Sequence, residues 1–150
     1  WIRVTHDSVA ANNFQDVAVL NDVTYTYKVQ AVRRLGEDLL ASLDSPARVA
    51  MPEKRDPPPP VTNVLVVATS QGVELRWEES PAPDVAGYRV YRRSAGEEKY
   101  TRLTPELIKK PYFVDGQVKR GQTYHYYVTA VDDSPRANES LPAETMSITY

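Results

Sequence analysis

Apolar and polar residues alternate along most of the second half of the chain, the pattern of strands buried on one face. Val64, Val66 and Ala68 share one face of a first strand, and Val73, Leu75 and Trp77 alternate with Glu74, Arg76 and Glu78 in a second. A turn at 80–84 leads to a third strand over 87–93, which the polar stretch 94–98 ends. Short strands follow near 100–103 and 112–118. Past the Arg120-Gly121 turn, the pattern predicts a long strand over Thr123–Asp132 with Tyr124, Tyr126, Val128 and Ala130 on one face. Residues 144–150 close the set. Seven short strands separated by turn residues predict an all-β fold, an antiparallel two-sheet β-sandwich.

The first half of the chain repeats part of this pattern. At a constant offset of 99 and without a gap, nine of the nineteen positions in 14–32 match those in 113–131. They are Phe14/Phe113, Asp16/Asp115, Val19/Val118, Thr24/Thr123, Tyr25/Tyr124, Tyr27/Tyr126, Val29/Val128, Ala31/Ala130 and Val32/Val131. The register runs back to pair Trp1 with Tyr100, Arg3 with Arg102, Thr5 with Thr104 and Val9 with Ile108. Further on, Ser45-Pro46-Ala47 lines up with Leu141-Pro142-Ala143 once three residues are removed. Residues 61–150 therefore read as a complete module, and 1–51 as the C-terminal half of another. Between them, 52–60 reads as a linker. Its four prolines at 57–60 favour an extended polyproline conformation of about 3.1 Å per residue and cannot enter a helix or a central strand.

Composition narrows the function. Lys and Arg number 18 against 20 Asp and Glu, a formal net charge of -2. Nucleic-acid binding rests on a basic surface that displaces counterions, so no nucleic-acid partner is expected. No apolar run approaches the roughly 20 residues of a membrane helix, so no membrane insertion is expected of this segment. The opening Trp1-Ile2-Arg3-Val4 has neither the charged nor the apolar region of a secretory signal, as a mature or trimmed chain also would not. Cysteine is absent, which excludes disulfides, thiol catalysis and Cys-based zinc sites. Stability then rests on apolar burial.

At this point the residues resemble a known family. Pro59-Pro60 ahead of the first strand, Trp77 ending the second, and Gly87-Tyr88-Arg89-Val90-Tyr91-Arg92 in the third are similar to the fibronectin type III module, an immunoglobulin-like sandwich. So are Thr123-x-Tyr-x-Tyr-x-Val-x-Ala130 in the sixth strand and its copy at Thr24–Ala31, while the loop 131–140 resembles bacterial members. The resemblance implies that Trp77 and Tyr88 are structural. It also implies that Tyr124 and Tyr25 are "tyrosine corner" residues, whose hydroxyls bond to nearby backbone. It further implies one sheet of first, second and fifth strands, and another of fourth, third, sixth and seventh. Residues 1–51 would then hold the short fourth strand and the last three, of which only the last two can pair. Tyr27, Val29 and Ala31 would face solvent unless an upstream segment of the same protein supplied the missing strands.

No catalytic, cofactor-binding or metal-binding residues emerge. His6 and His125 are the two histidines, and His125, between Tyr124 and Tyr126, points away from the core with no nucleophile in reach. The glycines form no phosphate-cradling loop. Asp132, Asp133 and Glu139 lack the spacing of a calcium loop. Arg34-Leu35-Gly36-Glu37-Asp38 is not the Arg-Gly-Asp tripeptide of some family members and reads as a solvated turn. The one candidate partner surface is the outward sheet face, where Arg89, Tyr91 and Arg93 should lie beside His125, Tyr127 and Thr129. Tyr and Arg are enriched at binding hot spots, though such cross-strand pairs also stiffen any sheet. These features imply a non-catalytic spacer or protein-interaction module of a larger cell-envelope or secreted protein. The alternative is an accessory module of a secreted carbohydrate-active enzyme, with a glycan as partner. Either role places the chain outside the cell, in the periplasm or on the cell surface.

Overall fold

The computed structural model describes residues 1–150, which divide into two units, 1–54 and 55–150. The first carries β1 (Tyr25–Tyr27), β2 (Val32–Leu35), β3 (Asp38–Ala41) and β4 (Arg48–Ala50). The second carries β5 (Leu65–Thr69), β6 (Gly72–Arg76), β7 (Val85–Ser94), β8 (Thr101–Arg102), β9 (Tyr112–Asp115), β10 (Thr123–Asp132) and β11 (Met146–Thr149).

Residues 55–150 form a sandwich of two antiparallel sheets, ordered β5-β6-β9 and β11-β10-β7-β8. This is the strand distribution that the resemblance implies. The alternating residues supply the core: Val73, Leu75 and Trp77 from the first sheet's side meet Tyr88, Val90, Tyr124, Tyr126, Val128 and Ala130 of the second. Fully burying each large apolar side chain stabilises by about 1.5–3 kcal/mol, so these positions dominate the fold. Val64 and Val66 pack against the core, but Ala68 is exposed near the end of edge strand β5. The fifth strand stops at Asp115, short of the expected Val118. There the Asp115 side chain accepts the Gln117 amide at 3.0 Å and turns the chain. Gly72 makes that turn possible from the neighbouring strand. Its φ is +133°, and a Cβ there would stand 2.1 Å from the Asp115 carbonyl oxygen. Pro58 is buried, and the second unit begins at Arg55.

Residues 1–54 reproduce the local bonding of 114–150. Tyr25 Oη accepts the Leu20 amide at 2.9 Å, as Tyr124 Oη accepts that of Lys119 at 2.9 Å. Tyr27 donates its hydroxyl to Asp16 at 3.1 Å, as Tyr126 does to Asp115 at 2.8 Å. The Ala31 amide donates to Ser42 Oγ at 3.0 Å, as that of Ala130 does to Ser140 Oγ at 3.0 Å. Tyr25 pairs with Ala50 and Tyr27 with Arg48, where Tyr124 pairs with Ile148 and Tyr126 with Met146. The repeat is therefore one of hydrogen bonds as well as letters.

Burial separates the copies. Val128 is 0% exposed and its counterpart Val29 is 70% exposed. Ala31 is exposed too, while Tyr27 is half-buried beside Asp16. Three details depart from expectation. Residues 1–24 contain no strand, because β8 and β9 are held by β7 and β6, which have no counterpart in 1–54. Val32–Leu35 and Asp38–Ala41 pair as a hairpin, turning at Gly36, whose φ of +62° suits the first position of a tight hairpin turn. Finally, Ser45 donates to the Val29 carbonyl as Ala143 does to that of Val128, so the copies differ by one residue after the matched block, not three. The match of Pro46 to Pro142 followed the letters and not the register.

Candidate functional site

The outward face of the four-stranded sheet carries the candidate residues, and pairing of β7 with β10 brings them together. His125 lies opposite Arg93, Tyr127 opposite Tyr91 and Thr129 opposite Arg89. The Tyr91 and Tyr127 rings stack with centroids 4.7 Å apart and planes 18° from parallel. Tyr100 packs against Tyr127 at 4.6 Å, and the Arg93 guanidinium lies 5.3 Å above the Tyr100 ring. Offset aromatic pairs and cation–π contacts of this kind each contribute about 0.5–1.5 kcal/mol.

Glu139 ties down the other end of the face. Its carboxylate accepts the Tyr91 hydroxyl at 2.7 Å and the Thr129 hydroxyl at 2.6 Å, and pairs with Arg89. A bridge between Val131 and Glu139 brings it there. Burial pushes the Glu139 carboxyl up, but its bonds to Thr129, Tyr91 and Arg89 outweigh burial and hold its pKa below the usual value. For Tyr91, burial and then the bond to Glu139 push the pKa up to about 12. Tyr127 is raised as well, by burial first and then by the negative charge of Glu139.

A depressed carboxylate pKa stabilises the fold above the ordinary glutamate range, and that contribution is lost as pH falls through the folded-state value. Glu139→Gln is therefore expected to cost about 1–2 kcal/mol at neutral pH, less than a typical charged hydrogen-bond set because the side chain is partly solvated. It should also flatten the acid limb of the stability profile. Denaturant midpoints of parent and variant between pH 7 and the acid transition measure both, and parallel acid limbs would remove Glu139 from this role.

Glu139 and Tyr100 escaped the sequence reading. Glu139 sat among loop acids, and only the bridge across the loop reveals which strand it serves. Asp132, its neighbour in that cluster, is buried and accepts bonds from Ser134 and from the Asn138 amide, stapling the loop 132–138. A second network joins the two sheets. The Asp115 carboxylate, 3% exposed, accepts the Tyr126 hydroxyl and pairs with Arg92 at 2.7 Å. The repeat did carry a signal for it, because both Asp115 and Tyr126 recur 99 residues earlier as Asp16 and Tyr27.

Of the structural residues, Trp77 is buried and stands edge-on to Tyr88, while Tyr88 Oη accepts the Ser80 amide at 2.9 Å. On the outward face every carboxylate oxygen of Glu139 already has a donor, so the face binds itself first. What it offers outward is stacked aromatic surface flanked by the half-buried Arg93 and His125.

No family model matches the chain. Among solved structures it is similar to a Fn3-like protein from Clostridium thermocellum, at 27% identity, covering 60% of this chain and 90% of that one with a TM-score of 0.50. It is also similar to the FN1-FN3 domains of chicken CNTN1, at 18% identity over 90% of this chain and 43% of that one, with a TM-score of 0.54. A titin segment matches at 14% identity over 86% of this chain and 59% of that one, with a TM-score of 0.57. The chain thus spans about half the length of the two longer structures. With two sheets in the expected strand order and these likenesses, the chain is built on the fibronectin type III fold, that of a structural or interaction module.

Proposed function

We propose that this chain is a non-catalytic structural spacer and protein-interaction segment of a larger secreted or cell-envelope protein, working outside the cell, in the periplasm or at the cell surface. What supports the reading is the repeat itself: the same tyrosine and aspartate hydrogen bonds are built twice, 99 residues apart. Repetition of one structural unit along a chain serves spacing. The outward polar face fits that role, since its charged groups pair with one another and stiffen the sheet. Stacked Tyr91 and Tyr127 give such a module a surface on which another protein can rest.

A module exchange in the full-length protein tests this. Replacing 55–150 with an unrelated sandwich of the same end-to-end span is expected to keep the protein's activity, because spacing survives. Loss of activity on exchange, reproduced by Tyr127→Ala in an otherwise folded protein, would assign recognition in place of spacing.

A further inference from the structure

This inference rests on reading residues 1–54 as the C-terminal half of a module, for which 55–150 is a complete template. In the complete copy, Arg92 of β7 occupies a socket made of three groups. Its guanidinium donates to Asp115 Oδ2 at 2.7 Å and to the Gln117 carbonyl at 3.3 Å, and lies 5.2 Å above the Tyr124 ring. The same three positions recur 99 residues earlier as Asp16, Ala18 and Tyr25.

The bonds that shape the socket recur with them. The Ala18 amide donates to Asp16 Oδ1 at 3.0 Å, as the Gln117 amide does to Asp115 Oδ1 at 3.0 Å. Tyr25 is fixed by the Leu20 amide as Tyr124 is by Lys119, and the Tyr27 hydroxyl meets Asp16 Oδ2 as that of Tyr126 meets Asp115. Asp16 thus keeps two of the three donor groups of Asp115, and the missing one is the guanidinium. Beside it, Val29 and Ala31 are exposed where Val128 and Ala130 lie paired with Val90 and Tyr88.

We propose that Asp16, the Ala18 carbonyl and the Tyr25 ring form a receptor socket for an arginine. That arginine is carried on a β-strand that adds antiparallel to residues 25–32. The strand has an aliphatic residue two positions before the arginine and a tyrosine four positions before it, as Val90 and Tyr88 precede Arg92. Its source is the N-terminal half of a module of this same fold. Charge complementarity selects a cation, and geometry selects arginine over lysine. A planar guanidinium reaches carboxylate and carbonyl together while lying flat on the ring, which a point-like ammonium does not.

The test is the full chain with a second copy of residues 55–99 placed ahead of Trp1, so that the grafted Arg92 precedes Asp16 as the original precedes Asp115. Hydrogen exchange is read at the Lys28 and Gln30 amides, whose counterparts Tyr127 and Thr129 face β7, because the Val29 and Ala31 amides already donate to Ser45 and Ser42. The graft is expected to slow them by about a hundredfold. Grafted Arg92→Met should then restore about tenfold faster exchange when Asp16 is present, and change little when Asp16→Asn is already in place. Slowed exchange with the same Arg92→Met effect in both backgrounds overturns the socket while leaving the half-module reading intact. Unchanged exchange at Lys28 and Gln30, with 55–150 of the same chain still folded, overturns both. Protection that appears without the graft and together with dimerisation assigns the strand to a second copy and overturns the proposed occupant.

Discussion

Trp77→Ala is expected to lower the stability of residues 55–150 by about 3–5 kcal/mol, the cost of emptying a large core site that relaxes only in part. Trp77 is 6% exposed, closes the hydrophobic run begun by Val73 and Leu75, and meets the Tyr88 ring edge-on at 5.4 Å and 69°. A loss of that size is a large share of the roughly 5–15 kcal/mol that holds a small domain together. The indole adds a finer test. Its buried N–H has no acceptor among the protein atoms, so the ring is held by packing alone. Trp77→Phe removes that uncompensated donor along with some volume, and is expected to cost about 1–2 kcal/mol, well short of the alanine variant. Denaturant midpoints of the three proteins check the order. Equal midpoints for parent and alanine variant would take Trp77 out of the core.

The second large effect is at Asp115. Asp115→Ala removes the acceptor for Arg92, for the Tyr126 hydroxyl and for the Gln117 amide at once. Breaking a buried ion pair from one side costs about 3–5 kcal/mol, because the other charge is left without its partner. Arg92 retains 19% side-chain exposure, and partial hydration places the expected loss near the lower end, about 3 kcal/mol. Adding Arg92→Met should recover part of it, since the double variant strands no charge. A double variant less stable than Asp115→Ala would mean that Arg92 acts through packing on the Tyr124 ring and not through the carboxylate.

How much of this was legible in the sequence depended on periodicity. The long strand Thr123–Asp132 and the inward triplet Val73, Leu75 and Trp77 follow from strict alternation, which fixes the buried face of a strand. Opposing positions on β7 and β10 followed from the family's strand order, and the pairs Arg93–His125, Tyr91–Tyr127 and Arg89–Thr129 lie where that order puts them. Contacts made by loops were not legible. Glu139 reaches Arg89 and Tyr91 from a segment about fifty residues away, and nothing in its local sequence distinguishes it from Asp133. The hairpin Val32–Leu35 with Asp38–Ala41 was missed for a different reason. In the other copy β10 ends at Asp132 and gives way to the loop 132–138, so the repeat carries no signal for a hairpin there, and only the turn at Gly36 marks it.

The lack of any strand in residues 1–24 has a simple physical cause. A strand is a pair of hydrogen-bonding partners before it is a sequence, and the segment around Phe14 pairs with no strand. The same residue type at Phe113 belongs to β9, with Leu75 of β6 opposite it. Identical letters give different secondary structure when the neighbour is missing.

The central claim is that the two copies share one hydrogen-bonded half-module and that the strands covering it set how well it is protected. Amide hydrogen exchange on the full chain, read residue by residue, measures this most directly. The account predicts that Tyr126, Val128 and Ala130 exchange only through opening of the whole sandwich, and that Tyr27, Val29 and Ala31 exchange at least about a hundredfold faster through local opening. Equal, strong protection of the two sets in the monomeric chain would contradict it.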